Sequence, residues 1–244
     1  MSLKTTYDWY VKAGYLKGIT RDDLTLYNYT TQTVMKGNWN YHTRCARGLI
    51  LDSEGKFVAR PFQKFFGLFE TEETYTQNLP QETAEIATKY DGSLIIVFQN
   101  PNLPNRAWDA VTRGCWDNEQ IRFTRRWLKD NGEKLEPGYT YCFELIAPWN
   151  QIVIPYEEEQ MIYLGRVDPF GQESTYAEAR DYALAKGLEP VEFSIGRIEE
   201  IDPLRIPWEL EGYVARFANG TRVKIKASHY EERHKEMAKN ERKN

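Results

Sequence analysis

The residues with the clearest potential for chemistry are Lys89-Tyr90-Asp91-Gly92, which lie between two strand-like runs. An Asp-Gly pair favours a tight turn, and its glycine lets another group approach the backbone closely. A hairpin turn of this kind would hold Lys89 rigidly at a strand edge, where its amine could attack a phosphorus atom. A surface hairpin with a solvated lysine is the alternative interpretation of these four residues taken alone.

A carboxylate lies within another predicted strand, Tyr139 to Ile146. Alternation places Tyr141 and Phe143 on one face of this strand and Glu144 on the other. Carboxylates are seldom buried unless they are paired or functional. Glu144 is therefore a candidate site residue.

A third group of charged residues belongs to a predicted hairpin later in the chain. Asn219-Gly220 separates two alternating runs, which is a strong signal for a two-residue turn. That turn would place Ala215 opposite Lys224. Glu211 would then share one sheet face with Lys224 and Lys226. The face would carry one carboxylate and two cations, and a solvated hairpin face is again the alternative.

The elements that must position these groups indicate an α+β chain with short loops. Helices are predicted near the N-terminus, from Asp117 to about Gly132, from Thr175 to Lys186, and over 230–244, the last with mixed charge. Besides the strands that carry the three charged groups, the patterns predict strands over 24–34, 49–51, 57–59, 107–112, 152–154 and 162–167.

Composition narrows the function classes. Hydrophobic residues make up 41% and charged residues 28% of the 244 residues, as is ordinary in a globular protein. The formal net charge of −4 means that nucleic-acid binding must use a local basic surface. No apolar run approaches the roughly 20 residues that span a bilayer, so we expect no membrane partner.

The cysteines and the N-terminus bear on the compartment. Cys45, Cys115 and Cys142 are widely spaced, which favours a reducing compartment over a disulfide framework or a zinc site. The first residues are polar and contain no signal-peptide apolar region. We therefore expect a cytoplasmic location.

In their order along the chain, the charged groups resemble the motifs of the covalent nucleotidyltransferase superfamily of ligases and RNA-capping enzymes. Motifs I, III, IV and V are similar to Lys89-Tyr90-Asp91-Gly92, Phe143-Glu144, Glu211-Gly212-Tyr213-Val214 and Lys224-Ile225-Lys226. Over about residues 40–232 the chain further resembles the bacteriophage RNA ligase 1 family, through Arg47-Gly48, Arg60-Pro61, Lys64-Phe65-Phe66, Glu144-Leu145-Ile146-Ala147-Pro148 and Lys226-Ala227-Ser228-His229-Tyr230.

This resemblance implies a fold and an activity. The fold would be the nucleotidyltransferase fold, the ATP-grasp-like catalytic fold of DNA and RNA ligases, with mainly antiparallel sheets flanked by helices. We expect a single adenylyltransferase domain over 1–244 that ends in a short helix over 230–244. The activity would be ATP-dependent joining of RNA 5′-phosphate and 3′-hydroxyl ends, through a lysyl-AMP on Lys89 and an RNA-adenylate. Single-stranded RNA ends would be the partner, and no protein partner can be inferred.

The resemblance also implies residue roles. Lys89 would be the nucleophile, and Lys224 and Lys226 would hold the α-phosphate. Asp91 and Glu211 would orient Mg²⁺ or Mn²⁺, mostly through water. The other implied nucleotide contacts are Gly92 in the turn, Glu144 on the ribose hydroxyls, Arg47, Lys64 and Arg113 on pyrophosphate or RNA phosphates, and Phe66 or Tyr230 at the adenine.

Two positions depart from the family pattern. Gly67 stands where the family has asparagine, and Arg113 stands where it has lysine. The founding member carries a further helical domain that favours tRNA, and DNA ligases and capping enzymes carry an OB domain. The sequence ends soon after motif V, so we expect neither addition. The alternatives are a DNA ligase-like or capping-type nucleotidyltransferase and a non-catalytic RNA-binding module.

Overall fold

The computed structural model of the protein describes residues 2–241. Its helices are α1 Leu3–Lys12, α2 Thr31–Lys36, α3 Tyr41–Cys45, α4 Glu119–Asn131, α5 Tyr176–Lys186 and α6 Ser228–Glu241. Its strands are β1 Leu16–Arg21, β2 Leu24–Tyr29, β3 Arg47–Leu51, β4 Phe57–Ala59, β5 Phe66–Gly67, β6 Ala84–Lys89, β7 Ser93–Gln99, β8 Trp108–Val111, β9 Thr140–Ile146, β10 Gln160–Val167, β11 Glu189–Pro190, β12 Phe193–Gly196, β13 Gly212–Arg216 and β14 Arg222–Lys226.

The strands form three sheets. The first has the order β1-β2-β3-β4, the second β11-β10-β9-β7-β8, and the third β12-β6-β13-β14-β5. Within these sheets all neighbours are antiparallel except β10 with β11 and β14 with β5. The expected α+β class and the predominance of antiparallel pairing are therefore confirmed.

Apolar side chains on each sheet form the core. The second sheet buries Tyr141, Phe143 and Tyr163 on the side that also receives α4 and α5. The third sheet buries Phe217 and Val223 on the side opposite Ala87 and Val214. A smaller apolar cluster joins these two sheets, and it underlies the candidate site described below: Ala87, Ile146, Ile162, Tyr176, Val191 and Val214.

None of the helices within residues 2–241 has the length and apolar character needed to cross a membrane.

The turn at Asp91-Gly92 joins two sheets and does not close a hairpin. Strand β6 belongs to the third sheet and β7 to the second, so the predicted hairpin is wrong. A Cβ on Gly92 would lie 2.3 Å from the Leu145 carbonyl oxygen of β9. The absence of a side chain at Gly92 therefore lets the chain cross closely over the second sheet, as the sequence indicated for this glycine.

The register of β13 with β14 differs by one residue from the prediction. Val214 lies opposite Lys224, and Ala215 lies opposite Val223 on the buried side. The Phe217 N–H donates to the Thr221 carbonyl oxygen at 2.9 Å, so the loop has three residues, 218–220. Three-residue hairpin loops commonly place a glycine in the left-handed region, and Gly220 has a φ of 87° there.

Glu211 nevertheless reaches the face of the two lysines, for a reason the pattern did not reveal. With the observed register, simple alternation would send its side chain to the face of Ala215. Gly212 interrupts that alternation with a φ of +149°, a conformation that L side chains rarely adopt. A Cβ on Gly212 would lie 2.1 Å from the Ile225 carbonyl oxygen. The Glu-Gly pair is thus a device that reorients one carboxylate.

Four other predicted elements differ from the structure. The run 24–34 is a strand only to Tyr29, because the Thr30 side chain caps α2. Helix α4 has Asn118 as its N-cap, not Asp117. The residues 152–154 form no strand, since the N–H groups of Val153 and Ile154 donate to the Asp91 carboxylate. The C-terminal helix begins at Ser228, and residues 242–244 of the prediction lie outside the described residues.

Replacing Gly212 by alanine should lower the free energy of unfolding by about 3–5 kcal/mol, because backbone strain and a clash with a carbonyl oxygen add. Gly220→Ala is the matched control. Gly220 also has a positive φ, but a Cβ there would meet no described atom within 4 Å beyond its chain neighbours. Its loss should be about 1–2 kcal/mol. Denaturant unfolding of both variants measures the difference, and equal losses would contradict the role assigned to Gly212.

Candidate active site

The site is built on a ladder across β6, β13 and β14. In its first row Lys89 lies opposite Gly212, which lies opposite Lys226. Lys89 Nζ lies 2.6 Å from Glu211 Oε2, and Lys226 Nζ lies 2.9 Å from Glu211 Oε1. The predicted meeting of Lys89, Glu211 and Lys226 is therefore present. One carboxylate holds two ammonium groups at the junction of the sheets.

The burial of these three groups differs in a useful way. The Glu211 side chain is 5% exposed, whereas those of Lys89 and Lys226 are 23% and 34% exposed. A buried carboxylate needs partners, and both of its oxygens have one. The lysines remain accessible, so a ligand can reach them while Glu211 keeps them oriented.

Lys224 stands in the second row of the ladder, opposite Val214. Its ammonium lies 5.3 Å from the centre of the Phe65 ring. Burial, together with the positive charges of Lys64 and Arg47, lowers the pKa of Lys224 to about 7. An anion placed here would relieve both effects, as the predicted role on a phosphate requires.

Lys64 lies beside this second row, and its positive charge is also only partly compensated. Its side chain is 9% exposed, and its Nζ donates to the Phe65 carbonyl oxygen at 2.9 Å and contacts Glu70 at 3.4 Å. Burial lowers the pKa of Lys64, while Glu70 raises it. The same Glu70 accepts a hydrogen bond from the backbone N–H of Gly67. The backbone of Gly67 thus provides a polar contact even though the family asparagine is missing.

The prediction that Phe66 contacts the adenine is wrong. Its ring is 1% exposed. The Lys64 ammonium covers it at 4.0 Å, and the Trp39 ring packs against it with the centroids 5.3 Å apart. Phe65, which the sequence did not single out, lines a cavity instead. In a parallel edge strand of two residues, the pattern alone could not tell which phenylalanine faces the core.

Glu144 lies on β9 and faces the site, as alternation predicted. Its Oε1 accepts a hydrogen bond from the Gly92 N–H at 3.2 Å. Burial raises the pKa of Glu144 to about 7; the charge of Glu211 adds to this rise, whereas Lys89 and Arg47 oppose it. The carboxylates of Glu144 and Glu211 and the Lys89 ammonium therefore interact electrostatically across the gap between the sheets.

Two arginines line the open side of the site. Arg113 Nη1 donates to the Tyr29 hydroxyl at 2.8 Å. The Arg47 guanidinium lies 5.8 Å from the Phe65 ring centre. Burial lowers the pKa of Arg47, and the nearby positive charge of Arg113 is the next cause. Both groups line the same groove as Lys89, which suits them to phosphates.

The Asp91 carboxylate is occupied by protein donors, which argues against the predicted metal role. Its Oδ2 accepts from the N–H groups of Val153 and Ile154 at 2.7 and 2.8 Å. Its Oδ1 accepts from the Tyr230 hydroxyl at 2.6 Å. The residue is 2% exposed. Asp91 therefore holds the turn that follows Lys89 in place, and its role next to a bound nucleotide would be structural.

The Tyr230 ring is likewise closed to an adenine. It is buried, its hydroxyl is bound to Asp91, and the Lys226 ammonium lies 5.0 Å from its ring centre. Tyr230 and Asp91 together connect α6 to the turn of the first motif. Tyr230 lines the same groove as Lys89 and Arg113.

Two cavities meet at the first row. An inner cavity of about 180 Å³ and an outer groove of about 570 Å³ share Arg47, Lys89, Glu144 and Glu211. The inner cavity adds apolar and aromatic walls from Phe65, Tyr90, Leu164, Val191 and Val214, while Leu94 lines both spaces. The outer groove adds Arg113 and polar side chains. Sequence analysis missed the apolar walls, because they come from elements that are far apart in the chain.

Known proteins are similar to this chain in sequence. A family model described as RNA ligase matches residues 45–230. A Thermovibrio ammonificans protein that carries the name of an RNA ligase is 31% identical over 202 residues, which are 77% of this chain and 52% of that protein. The chain thus spans about half the length of this curated relative.

Solved structures share the fold. An archaeal ATP-dependent RNA ligase matches with a TM-score of 0.64 and 15% identity, over 93% of this chain and 62% of its own. An Aquifex aeolicus protein that carries the name of an ATP-dependent DNA ligase matches with a TM-score of 0.62 and 16% identity, over 93% of this chain and 63% of its own. The expected nucleotidyltransferase fold of such ligases is therefore confirmed, and fold likeness alone does not separate RNA from DNA as substrate.

Removing the Asp91 carboxylate separates a structural role from a metal role. Asp91→Ala leaves two buried N–H groups and one hydroxyl without an acceptor, so the free energy of unfolding should fall by about 3 kcal/mol or more. Tyr230→Phe removes a single hydrogen bond and should cost about 1 kcal/mol. Denaturant unfolding in the presence of a chelator measures both. An unchanged stability of Asp91→Ala without metal would favour the metal role.

Proposed function

Since the chain belongs to the RNA ligase family, we propose that it is an ATP-dependent RNA ligase that joins 5′-phosphate to 3′-hydroxyl ends. The observation that carries the proposal is the position of Lys89. Its ammonium lies at the junction of a cavity with apolar walls and a groove lined by arginines, and Glu211 holds it there. A nucleotide and a second phosphate-bearing substrate can therefore reach one amine.

In the first step the neutral Lys89 amine attacks the α-phosphorus of ATP. The new N–P bond forms as the bond to the β-phosphate oxygen breaks, and pyrophosphate carries the electron pair away. The proton that Lys89 loses leaves through the open groove. Lys224 and Lys226 stand on the same sheet face and would stabilise the charge on the phosphoryl oxygens.

In the second and third steps the AMP passes to RNA. An RNA 5′-phosphate oxygen attacks the phosphorus of the lysyl-AMP, and the N–P bond breaks. A 3′-hydroxyl oxygen then attacks the activated 5′-phosphate, and AMP leaves. Arg47 and Arg113 line the outer groove and would hold RNA phosphates, which is one of the two roles that the sequence resemblance implied for them.

The inner cavity would hold the nucleoside. Its apolar walls, among them Phe65 and Tyr90, suit a flat base. Glu144 lies at the rim shared with the groove, where its carboxylate can accept hydrogen bonds from ribose hydroxyls. Phe65 therefore replaces Phe66 in our assignment of the adenine contact.

The carboxylates of the site fit a hydrated divalent cation better than a directly bound one. Glu211 and Glu144 interact as like charges, which is a pairing that a cation relieves. Among the residues that the structure describes, no group of three or more His, Cys, Asp or Glu side chains could enclose a metal. We assign Mg²⁺ or Mn²⁺ to Glu211 and Glu144 through water, where it would neutralise charge on the phosphates.

The substrate assignment is also a proposal. The groove is open and lined mainly by polar and charged side chains, which suits the backbone of single-stranded RNA ends. DNA ends are the competing substrate, and joining assays on matched RNA and DNA strands distinguish the two.

A cytoplasmic location is consistent with the free thiols of Cys45, Cys115 and Cys142.

The proposed function predicts that the purified protein gains the mass of one AMP when incubated with ATP and Mg²⁺. Lys89→Arg should abolish this gain, because a guanidinium is not a nucleophile at neutral pH. Lys129→Arg, on the exposed side of α4, is the matched control and should still gain the mass. Intact-mass spectrometry provides the measurement. A wild-type protein that never gains the mass would favour the non-catalytic module.

Sealing of pre-adenylated RNA tests the last step separately. Lys89→Arg should retain joining of a strand that already carries a 5′-adenylate, because that step requires no attack by the lysine. Gel analysis with and without ATP measures this. Loss of both reactions would indicate that Lys89 supports the site in another way.

The Lys224 pKa of about 7 predicts a pH dependence for ATP binding. Below pH 7 Lys224 is charged and attracts the phosphates, whereas above pH 7 the free protein loses this charge. ATP affinity should therefore fall as the pH rises from 6 to 8, by up to about tenfold for one phosphate contact. Equilibrium binding in the absence of turnover measures it.

Two variants identify the titrating group. Lys224→Arg keeps its charge and should flatten the profile. Glu144 titrates in the same range, so Glu144→Gln must be compared, and it should leave most of the Lys224-dependent fall intact. A profile that Glu144→Gln flattens and Lys224→Arg does not would assign the effect to the carboxylate.

A further inference from the structure

The third row of the ladder contains two arginines for which the proposed chemistry so far has no use. Arg216 of β13 lies opposite Arg222 of β14 and next to Glu85 of β6. Residues two apart on a strand are about 7 Å apart and point to the same face. The third row therefore lies on the face of Lys224 and Lys226, at the end of the ladder away from Lys89.

Both arginines are buried and incompletely satisfied. Their side chains are 6% and 4% exposed. Within residues 2–241, no acceptor contacts Arg216 Nε, Arg222 Nε or Arg222 Nη2. Buried guanidinium N–H groups without acceptors are rare, because their desolvation is not repaid. Burial also lowers the pKa of Arg222 to about 10.

The two neighbouring carboxylates compensate only part of this charge. Glu85 accepts from the backbone N–H groups of Tyr176 and Ala177 at 3.0 and 2.9 Å, and it lies 3.6 Å from Arg216. Glu173 pairs with Nη1 of Arg222 and leaves the other two nitrogens free. Glu173 belongs to the loop before α5 and is 19% exposed, so it is the more replaceable partner.

Arg222 also connects two spaces. It lines the inner cavity, where Lys224 and Arg47 lie, and a larger open cavity of about 1220 Å³. Arg216 and Lys64 line the larger cavity as well. A guanidinium in this position can contact an anion that moves from the inner cavity toward the surface.

The direction of the chemistry selects the anion. In phosphoryl transfer the attacking and leaving atoms are roughly in line. When Lys89 attacks from the first row, the leaving group departs on the opposite side of the phosphorus, past Lys224 toward the third row. From this geometry we infer that Arg216 and Arg222 form a phosphate subsite that receives the departing pyrophosphate, with the larger cavity as its exit. The inference rests on the proposed function.

The contact between Glu173 and Arg222 gives this subsite a competitor. The Glu173 carboxylate occupies one of the guanidinium nitrogens that a phosphate oxygen would use. Pyrophosphate must displace it, so removal of the Glu173 charge should strengthen binding. The two residues therefore predict effects of opposite sign, which general loss of structure cannot produce.

The experiment is calorimetric titration of inorganic pyrophosphate into the protein without nucleotide. Arg222→Met should weaken binding by about tenfold or more, as loss of a charge-assisted contact requires. Glu173→Gln should tighten binding by about threefold, because a competing charge is removed. Arg205→Met, at an arginine with an 88% exposed side chain, is the control and should bind as the wild type does.

Several results would overturn the inference. These are a wild type that binds no pyrophosphate, an Arg222→Met variant that binds it as the wild type does, and a Glu173→Gln variant with unchanged or weaker binding. If Arg222→Met fails to fold, judged by its melting curve, Glu173→Gln alone decides. A 5′-phosphorylated RNA strand whose binding depends on Arg222 when pyrophosphate binding does not would assign the subsite to RNA instead.

This titration is independent of RNA joining. If the wild type binds pyrophosphate through Arg222 but never gains the mass of AMP, the subsite stands and the proposed ligase function falls. If adenylation proceeds and the pyrophosphate affinities of all four proteins agree, the ligase function stands and the subsite falls.

Discussion

The arrangement of the site depends on one buried carboxylate, that of Asp91. It binds the N–H groups of Val153 and Ile154 and the hydroxyl of Tyr230, which come from separate parts of the chain. These contacts hold the link between the second and third sheets in a single position. Since Lys89 ends the strand just before this link, its backbone position is fixed by a hydrogen-bond network at the edge of the outer groove.

The glycines beside the two acidic motif residues solve a related problem of space. Gly92 allows the link to pass directly over the Leu145 carbonyl, and Gly212 allows Glu211 to turn toward the lysines. In each case a Cβ would meet a backbone oxygen at 2.3 or 2.1 Å. In both the Asp-Gly and the Glu-Gly pair, the glycine therefore allows the backbone path that positions its acidic neighbour.

Sequence patterns predicted those parts of the molecule that follow from local chemistry. Alternation placed Glu144 correctly, and the resemblance to the ligase motifs identified Lys89, Glu211 and Lys226, which the structure brings together. The α+β class followed from the helix and strand patterns and the short loops, and the nucleotidyltransferase fold followed from the resemblance. The placement of Glu144 succeeds because the period of a strand determines which side chains share a face.

The failures have physical causes that a local pattern cannot reveal. One extra residue in the loop at Gly220 shifted the register, and a distant carboxylate recruited the N–H groups of residues 152–154 away from any strand. The closed environments of Phe66 and Tyr230 arise from packing between elements far apart in the chain. The apolar walls of the inner cavity have the same origin. Tertiary contacts therefore decided each position that the sequence left open.

The shared carboxylate of Glu211 also links charge at the site to the progress of the proposed reaction. In the free protein its two oxygens are divided between the Lys89 and Lys226 ammonium groups. Conversion of the Lys89 amine to a phosphoramidate would remove one of those positive charges and free one oxygen. The affinity of Glu211 for a cation would then be greater in the adenylated protein than in the free one. By thermodynamic reciprocity, cation binding would favour the adenylated state to the same degree.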